Sequence, residues 1–235
     1  ENIYLEACPG SGKTEVVALK AAYEIRKWNR TGGMAFLTFT NEAAKVIEDR
    51  VNEINNNLKS IFPHFIGTLH SFIHGYISQP YGYKVIEYEG KSDKTIRVIE
   101  DKVEGEWLNN YKVRGKALPQ PIRANQILIN PVSDEITIRE RGESFTLNQY
   151  YNKKNFQKNI TQCREYFKDP NYFEECFFKT KCKEAKKKFF EDGFATFDDM
   201  LYIAYLVLIN NTQIAENISK RFNTIFIDEC QDLSE

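Results

Sequence analysis

Ile3-Tyr4-Leu5-Glu6-Ala7-Cys8-Pro9-Gly10-Ser11-Gly12-Lys13-Thr14 sets a short apolar run before a loop of small residues, and a helix-like stretch from Thr14 to Trp28 follows. The loop matches the phosphate-binding pattern G-x-x-x-x-G-K-[ST], with Ala7 in place of the leading glycine. A strand before it and a helix after it are the context that the motif requires. Small residues let successive backbone N–H groups turn onto phosphate oxygens, and the helix N-terminus adds a favourable dipole. Gly10 and Gly12 supply that freedom. The candidate phosphate-binding residues are therefore Ala7, Cys8, Pro9, Gly10, Ser11, Gly12, Lys13 and Thr14. Lys13 is expected at the β- and γ-phosphates of ATP, and the Thr14 hydroxyl at Mg²⁺. The alternative, an ordinary glycine-rich turn before a helix, is outweighed by the density of the match.

At the other end, Ile225-Phe226-Ile227 is an apolar run that reads as a parallel strand buried on both faces, followed by Asp228-Glu229-Cys230-Gln231-Asp232. Open α/β sheets bind ligands at the carboxyl ends of their strands, where these acids fall. Asp228 is the candidate metal ligand, and Glu229 the group that orients or deprotonates water. Alone, an Asp-Glu pair reads equally as a solvated loop. Paired with the GKT loop, it outlines a nucleotide triphosphatase.

The chain has 235 residues, 42% hydrophobic and 28% charged, enough for one α/β domain carrying an insertion. No run approaches a membrane span, and no basic segment leads into an apolar one at the N-terminus, so the cytoplasm is the expected compartment. The five cysteines lack the pairing of a disulfide framework. Cys163, Cys176 and Cys182 lack the spacing of a zinc or iron–sulfur site. Net charge is −1, so any nucleic-acid footprint must be local. The densest basic run, Lys179 to Lys188, reads first as the solvated face of a helix, with a polynucleotide backbone as the alternative partner.

Strand-like runs fall near 2–7, 34–39, 63–67 and 224–228, and the first three each precede a helical segment, which is the α/β signature. Asn41 is placed to cap the second helix. From 79 to 190 the texture changes. Lys84 to Val98 and Ile127 to Phe145 alternate like strands, and 150–190 reads as helical, marking an inserted mixed α/β subdomain. Thr196-Phe197-Asp198-Asp199 is a capping box before the apolar run Met200 to Ile209.

Three further segments make the chain resemble the UvrD/Rep/PcrA-like superfamily 1 DNA helicases. Leu37-Thr38-Phe39-Thr40-Asn41-Glu42-Ala43-Ala44 is similar to motif Ia, and Gly67-Thr68-Leu69-His70-Ser71-Phe72 to motif Ib. Phe197-Asp198-Asp199-Met200-Leu201 is similar to the signature before the Walker B strand, and Asp228-Glu229-Cys230-Gln231-Asp232 to the DExQD form of motif II. The resemblance implies a RecA-like P-loop NTPase fold, a parallel sheet flanked by helices, in which 1–78 and 191–235 form the first motor domain and 79–190 the insertion. It implies an ATP-dependent DNA helicase or translocase of 3′ to 5′ polarity in repair or replication restart, with Glu229, Lys13 and Gln231 as catalytic residues.

Single-stranded DNA is the implied partner, and a monomer the expected state. Thr38, Thr40, Asn41, Thr68, His70 and Ser71 are short polar groups suited to phosphates. Phe39 and Phe72 are either stacking faces for bases or core. The resemblance further implies a second RecA-like domain bearing arginines and an upstream adenine-contacting glutamine segment. Neither is found in these residues, so the chain is expected to be part of a longer helicase, with poor hydrolysis alone. A different class remains open: a nucleotide-gated module that binds DNA or a protein without translocating.

Overall fold

Gly33–Thr38, with the sequence GMAFLT, is buried at every position, because neighbours flank it on both edges and helices cover both faces. The computed structural model describes residues 12–55, 60–90, 93–100, 103–113, 121–147, 149–150 and 178–229. The proposed first strand, Ala7, Cys8, Pro9, Gly10, Ser11, Gln231, Cys163 and Cys176 lie outside the described residues. Two compact units divide the chain, one comprising 1–76 and 211–235, the other 77–210.

Among the described residues of the first unit, Gly33–Thr38 (β1) is the middle of a three-stranded sheet between Phe65–Thr68 (β2) and Phe222–Ile227 (β8), both parallel to it. On one face, helices Lys13–Lys27 (α1) and Asn41–Ile54 (α2) pack Ala18, Ala21, Ala22, Ile47 and Val51 against Met34 and Phe36. On the other, Ala35, Leu37 and Phe222 meet Phe72 of the short helix Leu69–Ile73 (α3). This is the α/β architecture with a parallel sheet flanked by helices that the sequence implies.

The sheet departs from the sequence reading at β8. Its pairing shifts register between Gly33 and Met34, which sends Phe222 to the α3 face and Phe226 to the α1–α2 face. Phe226 stacks on Phe36 at 4.6 Å. Ile225 and Ile227 keep 48% and 40% exposure, so β8 is not the doubly buried strand that its apolar run suggests. A strand at an edge of the described sheet has alternating rather than continuous burial.

Gly33 sits where no side chain fits, since a Cβ there would lie 2.0 Å from the Pro63 carbonyl oxygen. Beside it, His64 is buried, and its Nδ1 accepts the Met34 N–H at 3.2 Å while Trp28 meets its ring edge-on. Burial, helped by the nearby Arg221 charge, lowers the His64 pKa below its usual value. The unfolded imidazole titrates near about 6.5, so below that pH the unfolded chain binds a proton that the folded chain resists. Stability is therefore present above this range and lost as pH falls through it toward the lower folded value. The melting temperature is expected to fall between about pH 7 and 5.5, and His64→Gln to flatten that part of the profile. An unchanged slope in the variant would assign the pH dependence elsewhere.

Among its described residues the second unit contains two small sheets. Arg97–Ile99 (β3) runs parallel to Phe194–Thr196 (β7). Ile127–Ile129 (β4), Ile136–Glu140 (β5) and Glu143–Thr146 (β6) form an antiparallel meander. Helix Lys179–Glu191 (α4) adds Cys182 and Ala185 to the core of Ile122, Ile127, Ile136 and Ile138. Burial pushes the Cys182 thiol up to about 12, which keeps it inert. Helices Phe197–Asn210 (α5) and Thr212–Arg221 (α6) follow, α5 in this unit and α6 in the first.

Among the described residues the alternation from Lys84 to Val98 yields only β3. Gly82–Lys84 is a tight helical turn, and the positive φ of Glu87 and Lys94 breaks extension before Arg97. The strands expected from Ile127 to Phe145 form, and of the stretch 150–190 read as helical the described part from Lys179 is helix. The capping box also forms, because the Thr196 N–H donates to Asp199 Oδ2 at 2.7 Å and the Asp199 N–H to Thr196 Oγ1 at 3.3 Å. Within the basic run, however, Lys186 is 1% exposed and belongs to the interior.

Candidate nucleotide and DNA site

Parallel pairing brings the ends of β1, β2 and β8 to one edge of the sheet. Leu37 aligns with Ile227, and Thr38 with Thr68. The ladder runs one bond further, since the Asp228 N–H donates to the Leu37 carbonyl at 2.9 Å, so Asp228 is fixed by backbone and is 4% exposed. Glu229 follows in a left-handed conformation, φ 55°, unusual for a residue with a Cβ. Such backbone concentrates at functional turns, where surrounding contacts hold it.

Facing these acids is the start of α1. Gly12 caps it at φ 79°, a conformation that costs glycine little. With no side chain, Gly12 cannot itself cap the first N–H groups of α1. Thr14 Oγ1 donates to Asp228 Oδ2 at 2.9 Å, and Lys13 Nζ to Glu229 Oε2 at 3.2 Å. Four residues expected to act on one nucleotide, from opposite ends of the sequence, thus form two adjacent contacts. Behind them Glu15 is held by Arg50 of α2, whose Nε donates at 2.7 Å, a contact with no signal in the sequence.

The motifs after β1 and β2 divide by exposure. Thr38 is 1% exposed, and its hydroxyl donates to the Thr40 carbonyl at 2.9 Å, shaping the loop from within. Thr40 caps α2 in place of Asn41, its hydroxyl accepting the Ala43 N–H at 3.1 Å. Thr68 caps α3 in the same way, accepting the Ser71 N–H at 3.1 Å, and the Ser71 hydroxyl returns to the Thr68 carbonyl at 2.8 Å. Thr40, Asn41, His70 and Ser71 are exposed, Phe39 and Thr68 half-buried. Phe72 is core, edge-to-face with Phe65 and Phe222 and tilted against Tyr76. Sequence spacing gave no sign that the hydroxyls of Thr40 and Thr68 are used as helix caps as well as being surface groups.

The family model for the UvrD/REP helicase N-terminal domain matches residues 1–235. A probable DNA helicase II homolog of Mycoplasma capricolum subsp. capricolum is 25% identical over 232 residues, which cover 96% of this chain and 28% of that protein. The chain thus spans little more than a quarter of the curated relative it matches. On the match over its whole length, the chain belongs to the UvrD/REP helicase N-terminal domain family.

Proposed function

We propose that the chain is the ATP-binding motor portion of a DNA helicase or translocase. In this reading 1–78 and 191–235 form the first RecA-like domain and 79–190 its insertion. The observation that carries the reading is the pair of contacts from Thr14 to Asp228 and Lys13 to Glu229, which joins the GKT loop to the acidic strand end. The Thr14 hydroxyl and Asp228 carboxylate are hard oxygen donors, the kind that Mg²⁺ takes, and these two residues would hold it. When bound, Mg²⁺ neutralises charge on the phosphates.

Lys13 has a compact ammonium on a flexible stem and is suited to the same phosphates. In the structure it lies on Glu229, so a nucleotide that draws Lys13 away leaves that carboxylate to orient water and accept its proton. Gln231, beside this turn in sequence, completes the proposed catalytic set. The exposed residues Thr40, Asn41, His70 and Ser71, with half-buried Phe39 and Thr68, form a shelf along the same sheet edge. We assign this shelf to single-stranded DNA, with hydroxyls and amide on phosphates and Phe39 under a base. Buried Thr38 supports it from behind.

A titration with fluorescent ADP in the presence of Mg²⁺ tests the reading. The chain is expected to bind, and Lys13→Ala to weaken binding by about tenfold or more, as for a lost charge-assisted contact. Equal affinity in the variant would remove Lys13 from the site.

A further inference from the structure

A cavity of about 430 Å³ opens in the second unit beside the turn of the β5–β6 hairpin, and its volume lies within the range of small-molecule sites. Arg123, Arg139 and Arg141 all line it. Arg139 is held by Asp198 at 2.7 Å. The guanidinium groups of Arg123 and Arg141 make no hydrogen bond or ion pair with any described residue. Two of the three arginines that line the cavity thus have no partner among the described residues.

The hairpin turn adds a second observation. Arg141 and Gly142 have φ of 53° and 86°, the two-residue turn with both centres left-handed. Asn, Asp and Gly fill its first position at least cost. Here the chain places an arginine there, at the mouth of the cavity. The wall behind is rigid, because Gln126 accepts the Arg123 N–H at 3.0 Å and Asn125 donates to the Val103 carbonyl at 3.2 Å. Glu104 and Glu140 bring acids to the same cavity.

Paired guanidinium groups recognise phosphate by parallel donors, and a carboxylate nearby accepts from hydroxyl or amine groups. A ligand with phosphate at one end and such donors at the other matches both. We infer that this cavity is a second nucleotide site, taking a phosphomonoester of a nucleoside either free or as the phosphorylated end of a DNA strand. Its residues are separate from those of the GKT loop.

The test uses the whole chain carrying Lys13→Ala, which disables the proposed loop site, so that loss of that reading and loss of this one remain distinguishable. Calorimetric titration with AMP is expected to show binding that inorganic phosphate competes away. Arg141→Asn, which suits the turn, and Arg123→Gln are each expected to weaken it about tenfold or more, with circular dichroism unchanged. If AMP fails to bind but a short oligothymidylate with a 5′-phosphate binds more tightly than its 5′-hydroxyl form, and both variants erase the difference, the strand end is the ligand. The inference is overturned if AMP does not bind and the two oligonucleotides bind equally, or if binding survives both arginine variants.

Discussion

Glu229→Gln is expected to keep nucleotide binding while ATP turnover, measured with single-stranded DNA on the protein that carries this chain, falls by about 10²-fold or more, the scale of a lost general base. Glutamine keeps the shape of the side chain and an oxygen for Lys13, but it cannot take a proton from water. The Lys13–Glu229 pair is only partly buried, 18% and 37% exposed, so its loss costs at most about 1 kcal/mol of stability. A large fall in turnover without a matching fall in melting temperature therefore reads the chemistry and not the fold. Lys13→Ala gives the contrasting pattern, losing binding as well as turnover. Unchanged turnover in Glu229→Gln would remove this carboxylate from the water-activating role.

Much of the first unit was legible in the sequence because its signals are local or periodic. The runs at 34–39, 63–67 and 224–228 correspond to β1, β2 and β8 to within two residues, and acids after a strand and GKT before a helix are short motifs with fixed geometry. What was not legible depends on pairing. The register shift beside Gly33 divides Phe222 from Phe226 and leaves Ile225 and Ile227 open, and no apolar count foresees a bulge. In the same way, Thr40 and not Asn41 caps α2, because the chain enters the helix one residue earlier than the polar pattern alone suggests. From Lys84 to Val98 alternation proved a weak guide, since two residues of positive φ interrupt it. The basic run misled for a related reason: that most of its residues are Lys, Thr or Glu says nothing about which single lysine points inward.

That lysine sets the other large effect. Lys186 and Asp199 form an ion pair at 2.7 Å with side chains 1% and 3% exposed, joining α4 to the first turn of α5. Lys186 also donates to the Ala124 carbonyl at 2.8 Å. Burial pushes the Asp199 carboxyl above its usual range, opposed by the Lys186 ammonium and the bonds with Thr196. Removing one member of such a pair strands a charge in the interior, which costs about 3–5 kcal/mol. Lys186→Met is thus expected to lower stability by that amount near neutral pH, a fall in melting temperature of roughly 6–20 °C at about 2–4 °C per kcal/mol.

Without its cation, the carboxyl is raised further and the folded variant holds a proton that the unfolded chain gives up near about pH 4. The deficit is therefore smallest near that pH and grows as pH rises through the folded value. Adding Asp199→Asn removes the buried charge yet keeps an oxygen for the Thr196 N–H, so the double variant is expected to recover most of the loss. Urea unfolding of the two single variants and the double variant at two pH values measures the coupling directly. A Lys186→Met chain as stable as the parent at neutral pH would show that the pair contributes nothing to holding α4 on α5, and additive losses in the double variant would show that the two side chains act separately.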